Sequence, residues 1–273
     1  MFTPISFTGK IFRAYLRSFQ HPAKIRIQNA IGRKCFSRGI LFKHSDGTIY
    51  QLDANDWITR IFLLEGNYES GSVMLAKNIM KAGGTFVDVG TNFGLFTCQV
   101  PNNNNKAIKI ISVEPNYKII SSLLNNIELN GLQQQVRVLN MAVSDKTQFV
   151  TMQQPAADNV GTTKTVAGIS GELAVLSSTL SFIFEEQELN VVDLLKIDIE
   201  GNEFSILKDF PFDRFLIKNI ILEFNHLSTI SFEELRLFFE EKGFRSFTID
   251  ARPLTDAQQE IKEHNIWFVN QRS

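Results

Sequence analysis

The chain has 273 residues, of which 44% are hydrophobic and 21% are charged, and its formal net charge is −1. This composition excludes a disordered protein, and the length fits one large α/β domain with an appendage rather than two large domains. No apolar run is long enough to predict a membrane-spanning helix. Cys35 and Cys98 are far apart, without a Cys-x-x-Cys motif or a Cys/His cluster around them, so we expect a reducing, cytoplasmic location.

Basic residues are concentrated at the start of the chain. Nine of them precede the first acidic residue, Asp46: Lys10, Arg13, Arg17, Lys24, Arg26, Arg33, Lys34, Arg38 and Lys43. Three explanations are open, namely a helical cover with a solvated basic face, a cleaved transit peptide, and a contact with an anionic surface. Apolar residues at partly helical spacing favour the cover: Phe2, Phe7, Ile11, Phe12, Tyr15, Leu16 and Phe19. We therefore expect a basic N-terminal cover over residues 1–70 and a main domain over residues 71–273.

From residue 85 onward, short apolar runs alternate with amphipathic stretches. This alternation predicts a doubly wound, Rossmann-like α/β fold with about seven mostly parallel strands. Strands are predicted at 85–89, 108–113, 136–139, 148–152, 194–198, 219–224, 244–249 and 266–269. Helices are predicted at 95–99, 114–130 and 203–210, and a further helix opens at a capping box, 231–234, and ends at Gly243. Residues 155–171 are predicted to form a loop over the site.

The junction after the first of these strands carries a candidate cofactor loop, residues 88–94. Nucleotide cofactors bind at such strand ends, and small residues there let the backbone approach a ligand. Asp88 precedes the glycines, where a carboxylate suits an amino group and repels a pyrophosphate. Glu114 ends the next strand, where it is placed to accept both hydroxyl protons of a ribose. A tight structural turn for the loop, and a helix N-terminal acid for Glu114, are the alternatives. The pair favours S-adenosylmethionine over a dinucleotide.

Four segments of the sequence resemble the FkbM family of methyltransferases: FVDVGTNFG (86–94), VEPN (113–116), AVSD (142–145) and LKIDIEGNE (195–203). Two shorter segments, 66–69 and 159–161, are similar to the Gly-x-Tyr-Glu and Asn-x-Gly motifs of that family. The resemblance spans roughly residues 53–224. Ser181 departs from it, because it stands where such proteins commonly have an aspartate.

The resemblance implies a class I methyltransferase sheet with an antiparallel final strand, and O-methylation of a sugar, glycan or secondary metabolite. Together with the loop and Glu114, it implies these contacts with S-adenosylmethionine: Glu69, Asp88, Gly90, Thr91, Asn92, Gly94, Glu114, Pro115, Met141 and Ala142. Asn159 and Gly161 are the corresponding candidates for binding the acceptor.

Methyl transfer from a sulfonium needs alignment and removal of the acceptor's proton. Asp198 and Glu200 flank Ile199 at the end of a central strand, and Lys196 is expected on the same face as Asp198. Asp198 is the predicted proton acceptor, with Lys196 and Glu200 as further catalytic candidates. The alternative is a structural ion pair that holds the turn after the strand.

A second polar cluster ends the neighbouring strand. Glu223 and Asn225 are candidates for binding the acceptor, and His226 is a second candidate base, although a lone histidine is often an ordinary loop residue. Asp198, Glu223 and Asn225 together would suit magnesium. We expect no metal, because the Lys196 ammonium would compete with a cation for Asp198.

The acceptor is expected to be a hydroxyl group of a small molecule or glycan, and no nucleic acid is expected. Methyltransferases that act on nucleic-acid or protein amines usually carry Asn/Asp-Pro-Pro-Tyr/Phe after the fourth core strand, whereas residues 198–201 here read DIEG. A non-catalytic module that docks RNA or an anionic membrane through its basic start is the main alternative, and a dehydrogenase is the third. Nothing in the sequence indicates an oligomeric state.

Overall fold

The computed structural model of the protein describes residues 1–18, 23–101, 107–153, 164–167, 174–199, 201–225, 228–255 and 264–272. The elements that precede the main sheet are, in chain order, β1 (Phe2–Pro4), α1 (Phe7–Arg17), α2 (Lys24–Cys35), β2 (Ile40–His44), β3 (Ile49–Leu52), α3 (Trp57–Leu64), α4 (Ser70–Ile79) and a 3₁₀ turn (Met80–Ala82). None of the helices in the described ranges is long and apolar enough to span a membrane.

Strands and helices then alternate to the end of the chain. They are β4 (Gly84–Val89), α5 (Leu95–Gln99), β5 (Ile108–Val113), α6 (Tyr117–Leu129), β6 (Val136–Leu139), β7 (Ala142–Val143), β8 (Gln148–Gln153), β9 (Lys164–Ala167), β10 (Ala174–Ser178), α7 (Leu180–Glu186), β11 (Val191–Val192), β12 (Leu194–Ile197), α8 (Glu203–Leu207), β13 (Leu216–Ile217), β14 (Asn219–Glu223), α9 (Phe232–Glu241), β15 (Phe244–Thr248) and β16 (Asn265–Asn270).

The main sheet has seven strands in the order β15-β16-β14-β12-β4-β5-β6. The strands from β14 to β6 pair in parallel, and β16 runs antiparallel to both of its neighbours, β14 and β15. From β4 the chain adds β5 and β6 outward in one direction, and from β12 it adds β14 in the other, so the strand order reverses between β4 and β12. The last strand, β16, inserts between β14 and the edge strand β15. This is the doubly wound, class I arrangement with an antiparallel final strand that the sequence analysis predicts, and the prediction is confirmed.

Helices cover both faces of this sheet, so its central strands are buried on both sides. Alternate residues of one strand therefore belong to different clusters of the core. Phe86 and Leu194 face the cluster that includes α5, α6 and the N-terminal elements, and Val87 and Leu195 face the cluster that includes α7, α8 and α9. Near-continuous apolar runs result, which explains why these strands are recognisable in the sequence.

The N-terminal elements form a second, three-stranded antiparallel sheet in the order β1-β2-β3. Its core is aromatic: the Phe2 ring, 1% exposed, stacks on Phe62 with a centroid distance of 3.8 Å. The Tyr50 hydroxyl donates to the Leu95 carbonyl oxygen at 2.8 Å, which joins this sheet to α5. The sequence analysis predicts helices here but not this sheet. A division of the chain at residue 70 stays a prediction.

Two asparagines one turn apart, Asn126 of α6 and the C-cap residue Asn130, connect that helix to the edge strand β3. The Asn130 side chain accepts from the Ile49 N–H at 2.9 Å and donates to the Ile49 carbonyl oxygen at 2.7 Å. The Asn126 side chain accepts from the Gln51 N–H at 2.8 Å and donates to the Phe93 carbonyl oxygen at 3.0 Å. Side-chain amides thus take the place of a neighbouring strand.

Several boundaries differ from the predicted ones. Helix α6 begins at Tyr117 rather than at residue 114, because the Asn116 side chain accepts from the Lys118 N–H and caps the helix. Part of the predicted loop 155–171 is the strand β9, which pairs antiparallel with β8. Helix α9 has the predicted capping box, in which Ser231 and Glu234 each bind the other's backbone N–H.

Candidate functional site

The predicted site residues lie where four parallel strands end. The 90–94 loop follows β4, Glu114 follows β5, Asp198 follows β12, and Glu223 is the last residue of β14. The carboxyl ends of parallel strands share one edge of a sheet, and ligands of open α/β sheets bind at that edge where the strand order reverses. This reversal lies between β4 and β12, so the 90–94 loop and Asp198 lie at the switch point.

The loop after β4 has a backbone that requires its glycines. Gly90 has a φ of +80°, and a Cβ atom there would lie 1.7 Å from the Asp198 carbonyl oxygen. Asn92 is also left-handed, with a φ of +53°. The Thr91 hydroxyl donates to the Asp88 carbonyl oxygen at 2.7 Å, and the Gly94 N–H donates to the Thr91 carbonyl oxygen at 3.0 Å. The loop is therefore a preformed turn in contact with the strand end that carries Asp198.

Glu114 accepts hydrogen bonds from the backbone of the segments that follow β4 and β5. One carboxylate oxygen accepts from the Asn92 N–H at 2.8 Å, and the other accepts from the Asn116 N–H at 2.7 Å. The residue is 6% exposed. Burial raises the pKa of Glu114 to about 7, although the two N–H donors act in the opposite direction. Each carboxylate oxygen has a second lone pair with which to accept a hydroxyl, so the geometry is compatible with the predicted ribose contact. The contact itself stays a prediction.

Asp88 lies beneath the loop, with 1% exposure. Its carboxylate accepts from the Thr97 hydroxyl at 2.7 Å, and that hydroxyl is 2.7 Å from the Ser112 hydroxyl. Burial raises the pKa of Asp88, and the charge of Lys196, its register partner on β12, acts against that increase. Asp88 thus joins the polar row across β5, β4 and β12. Its predicted contact with an amino group stays a prediction.

Lys196 and Asp198 form an ion pair of 2.9 Å, which places them on one face as their spacing predicts. The Lys196 side chain is 3% exposed, whereas that of Asp198 is 28% exposed. Burial opposes the charged form of Lys196, but the carboxylates of Asp198, Glu69 and Asp88 hold its pKa above the usual range. For Asp198, burial raises the pKa and the Lys196 ammonium more than offsets it, so the pKa is lowered. The ion pair therefore keeps both groups charged, with the carboxylate on the open side.

Glu69 lies at the start of α4 in the left-handed conformation, with a φ of +43°. Its carboxylate is 3.5 Å from the Asn265 amide nitrogen, which also donates to the Ser72 hydroxyl at 3.1 Å. Next to it, burial raises the pKa of Tyr68, and the charges of Glu69, Asp198 and Glu223 add to that increase. Tyr68 and Asn265 are therefore neighbours of the site that the sequence pattern does not predict.

Glu223 and Asn225 interact with each other, since the Asn225 amide donates to a Glu223 carboxylate oxygen at 2.9 Å. Glu223 also lines a crevice between the end of β14 and the helices α8 and α9. The turn after Asp198 is held by Glu203, which accepts from the N–H groups of Ile199 and Gly201, each at 3.0 Å. Glu203, the first residue of α8, therefore fixes the backbone beside the site.

The structure describes fewer contacts for the remaining predicted site residues. Met141 and Ala142 follow β6 at the same edge of the sheet, and Ala142 is 2% exposed. Four candidates lie outside the residues that the structure describes: Asn159, Gly161, Glu200 and His226. Within the described ranges, no three side chains of His, Cys, Asp or Glu are grouped to hold a metal.

Charge decides which ligand this edge suits. The charges of Asp198, Glu69 and Asp88 act on the Lys196 ammonium, and those of Asp198 and Asp88 also raise the pKa of Glu114. Glu223 acts with Glu69 and Asp198 on the pKa of Tyr68. Such an acidic edge favours a cation and repels phosphate groups. A carboxylate at the end of β5 additionally suits a ribose. These features fit S-adenosylmethionine, which is cationic and carries a ribose without phosphate.

The sequence profile of the Methyltransferase FkbM domain matches residues 88–246 of the chain. This match includes the cofactor loop, Glu114, the Lys196–Asp198 pair and the end of β14, and it covers more than half of the chain. No curated protein sequence matches the chain at a significant level.

Solved structures with a similar chain path have low sequence identity to this chain. A methyltransferase FkbM from Methylobacillus flagellatus is 12% identical, with a TM-score of 0.44 over 68% of this chain and 43% of its own. M. capricolum TrmK, in complex with S-adenosyl-homocysteine, is 18% identical, with a TM-score of 0.40 over 72% and 65%. A SAM-dependent methyltransferase from Agrobacterium tumefaciens is 10% identical, with a TM-score of 0.47 over 84% and 68%. The chain thus spans less than two thirds of the length of the first two.

Proposed function

The chain belongs to the FkbM methyltransferase family, and on that premise we propose that it O-methylates a hydroxyl group of a sugar, glycan or secondary metabolite. Its cofactor is S-adenosylmethionine, which supplies the activated methyl group. The observation that carries the proposal is the ionised, partly exposed Asp198 carboxylate at the switch point, held by a buried Lys196.

Asp198 is the proposed proton acceptor. Its lowered pKa keeps it ionised at neutral pH, so it is ready to accept the hydroxyl proton as the oxygen forms its bond to the methyl carbon. Lys196 positions the carboxylate and limits its movement, since its ammonium is buried between Asp198 and the Phe96 ring, 4.6 Å from the ring centroid. The Glu203 carboxylate holds the following turn. Alignment and proton removal are the two contributions that methyl transfer requires.

The proposed cofactor contacts divide by chemistry. The 90–94 loop provides a close backbone approach, Glu114 accepts the ribose hydroxyls, and Glu69 with Asp88 provides negative charge for the cationic part. Pro115, Met141 and Ala142 lie at the ends of β5 and β6, where we place the adenosine. These assignments rest on position and on family membership.

The acceptor is proposed to bind on the side of Asp198 that lies away from the proposed cofactor contacts, towards the end of β14. Glu223 and Asn225 offer a carboxylate and an amide to a polyhydroxylated molecule beside the crevice at the end of β14. Asn159, Gly161, Glu200 and His226 belong to the same proposal from sequence alone. The DIEG sequence after β12 favours a hydroxyl over an exocyclic amine, because it lacks the aromatic residue and the prolines that amine methyltransferases use there.

We also place the protein in the cytoplasm. Cys35 and Cys98 are both free thiols, which fits a reducing compartment. Fractionation of the native host, with the protein recovered from a periplasmic or secreted fraction instead, would contradict this assignment.

The first experiment separates cofactor binding from the identity of the acceptor. Calorimetry of the purified chain with S-adenosyl-homocysteine is expected to show one binding site. Isotope-labelled methyl donor with glycan and metabolite extracts is then expected to label an alkali-stable ether. Labelling of an amine or of nucleic acid would contradict the hydroxyl acceptor, and absence of cofactor binding would contradict the enzymatic function.

The second experiment tests Asp198 and the absence of a metal. Asp198→Asn is expected to retain cofactor binding and to lose about 10²–10⁴-fold in turnover, the range for a positioned general base. Asp209→Asn is the matched control, because Asp209 is exposed beyond α8. Near-normal turnover of Asp198→Asn would contradict Asp198 as the proton acceptor and would favour His226, the second candidate base. Activity that EDTA abolishes and magnesium restores would contradict the metal-free mechanism.

A further inference from the structure

The first 45 residues expose large apolar side chains that the fold does not cover. Phe7 is 77% exposed, Ile11 55%, Ile5 45% and Leu41 37%. Exposed apolar residues are common when they are scattered singly, whereas adjacent ones indicate an interaction surface.

These four side chains are neighbours. Phe7 and Ile11 are one turn apart on α1, so they share a face of that helix. The opposite face buries Phe12 and Leu16 in the core, which fixes the orientation of α1. Ile5 leads into the helix, and its N–H donates to the Leu41 carbonyl oxygen at 2.8 Å. The apolar side chains therefore form one patch across the start of α1 and the adjacent β2.

Exposed basic side chains lie on the same two elements as this patch, Lys10 and Arg17 on α1 and Lys43 on β2. Among the basic side chains that the structure describes in the first 45 residues, which contain no acidic residue, six are exposed: Lys10, Arg17, Arg26, Lys34, Arg38 and Lys43. Two further ones are used inside the fold, since Arg13 donates to the Phe2 carbonyl oxygen at 2.9 Å and Lys24 donates to the Ser18 carbonyl oxygen at 2.9 Å. The exposed charges are thus additional to those that the fold needs.

We propose that this N-terminal basic–apolar surface, formed by α1 and β2 with their exposed bases Lys10, Arg17 and Lys43, binds the surface of an anionic lipid bilayer. A helix with exposed bulky apolar side chains and flanking Lys and Arg lies in the interface, with its apolar residues inserted and its cations on lipid phosphates. A bilayer is favoured over RNA because three of the four apolar side chains, Ile5, Ile11 and Leu41, are aliphatic, which leaves Phe7 as the one ring of the patch on which a base could stack. It is favoured over a second copy because two such faces would bring like charges together.

Vesicle flotation of the full chain tests the proposal, and it does not depend on methyl transfer. We expect binding to vesicles of equimolar phosphatidylcholine and phosphatidylglycerol, weak binding to phosphatidylcholine alone, and release by high salt. Phe7→Ser combined with Ile11→Ser is expected to lower the partition coefficient more than tenfold, since two inserted side chains are lost. Lys10→Glu combined with Arg17→Glu is expected to lower it by at least about tenfold.

Leu237→Ser is the matched control, because Leu237 is 51% exposed on α9, a helix with acidic residues in both its first and last turns. It is expected to bind as the parent does. All substituted positions are exposed, and circular dichroism verifies that each variant is folded. The proposal is overturned if the parent does not float, if the Phe7/Ile11 variant binds as the parent does, or if binding is equal on neutral vesicles. It is equally overturned if the Phe7/Ile11 changes abolish RNA binding or dimerisation while leaving flotation intact.

Discussion

Glu114→Gln is expected to make the stability of the protein less dependent on pH. The buried Glu114 has a pKa of about 7 in the folded chain, against a usual value of 4.5. Because the folded-state pKa is the higher one, the fold prefers the protonated form. The resulting stabilisation is present below about pH 4.5 and is lost as pH rises through about 7. The difference between the two pKa values corresponds to about 3 kcal/mol of folding free energy. Glutamine is neutral throughout, so this loss is absent in the variant.

Urea denaturation of parent and variant, followed by tryptophan fluorescence from about pH 4.5 to about pH 8, measures the difference. At the acidic end the variant is expected to be less stable by about 1–3 kcal/mol, because one of the N–H donors of Asn92 and Asn116 loses its acceptor. As pH rises to about 8, the free energy of unfolding of the variant is then expected to increase relative to that of the parent by up to about 3 kcal/mol. Other buried carboxyl groups, such as Asp88 and Glu203, are common to both proteins and cancel. A difference that does not change with pH, or that shifts towards the parent, would refute the reasoning.

The same ionisation has a consequence for cofactor affinity. Ribose hydroxyls donate to a carboxylate, so S-adenosyl-homocysteine is expected to bind the ionised Glu114 better. Affinity should then rise by up to about tenfold per pH unit below about pH 7 and level off above it. Calorimetry across this range, with Glu114→Gln as the control whose affinity is weak and unchanging, checks the ribose assignment. Parallel pH profiles for the two proteins would contradict it.

Three further predictions concern the fold around the site. In thermal denaturation, Gly90→Ala is expected to lower the free energy of unfolding by more than about 3 kcal/mol, because its Cβ would meet the Asp198 carbonyl oxygen at 1.7 Å. Gly131 is also left-handed, but a Cβ there has nothing within 4 Å, so Gly131→Ala should lower the free energy of unfolding by only about 1–2 kcal/mol in the same assay. Glu203→Ala should cost about 1.5–3 kcal/mol and lower turnover, whereas Glu203→Gln should be mild in both assays, since one oxygen accepts both N–H donors. Phe2→Ala should cost about 3–5 kcal/mol in urea denaturation, whereas the exposed Phe7→Ala should change stability by less than about 0.5 kcal/mol.

Much of the main sheet is predictable from the sequence because its central strands are buried on both faces. Such strands are short, nearly uninterrupted apolar runs, and the bounds of β5 and β6 agree with the prediction at both ends. Capping decides the start of α6, where Asn116 provides an acceptor that Pro115 does not. The N-terminal sheet is harder, because β1 has three residues and pairs with a strand about 40 residues later.

The candidate site is predictable to the extent that chemistry follows strand ends. Asp198, Glu114 and the glycine loop are identified because each directly follows an apolar run. Asn265 is missed because its contact with Glu69 joins residues 196 positions apart, through a final strand that returns antiparallel into the sheet. No local pattern encodes such a contact. The carboxylate pKa values also depend on burial that only the folded chain defines.

Asn126 of α6 and its C-cap residue Asn130 have a consequence for self-association. An edge strand with free N–H and carbonyl groups is a template on which another chain adds a strand, and proteins usually protect such edges with charge, proline or a covering element. Here Asn126 and Asn130 occupy the hydrogen-bonding groups of Ile49 and Gln51. This end of α6 thereby protects the edge of β3 from strand addition by another chain, and Asn130→Leu is expected to leave the N–H and carbonyl groups of Ile49 without these partners.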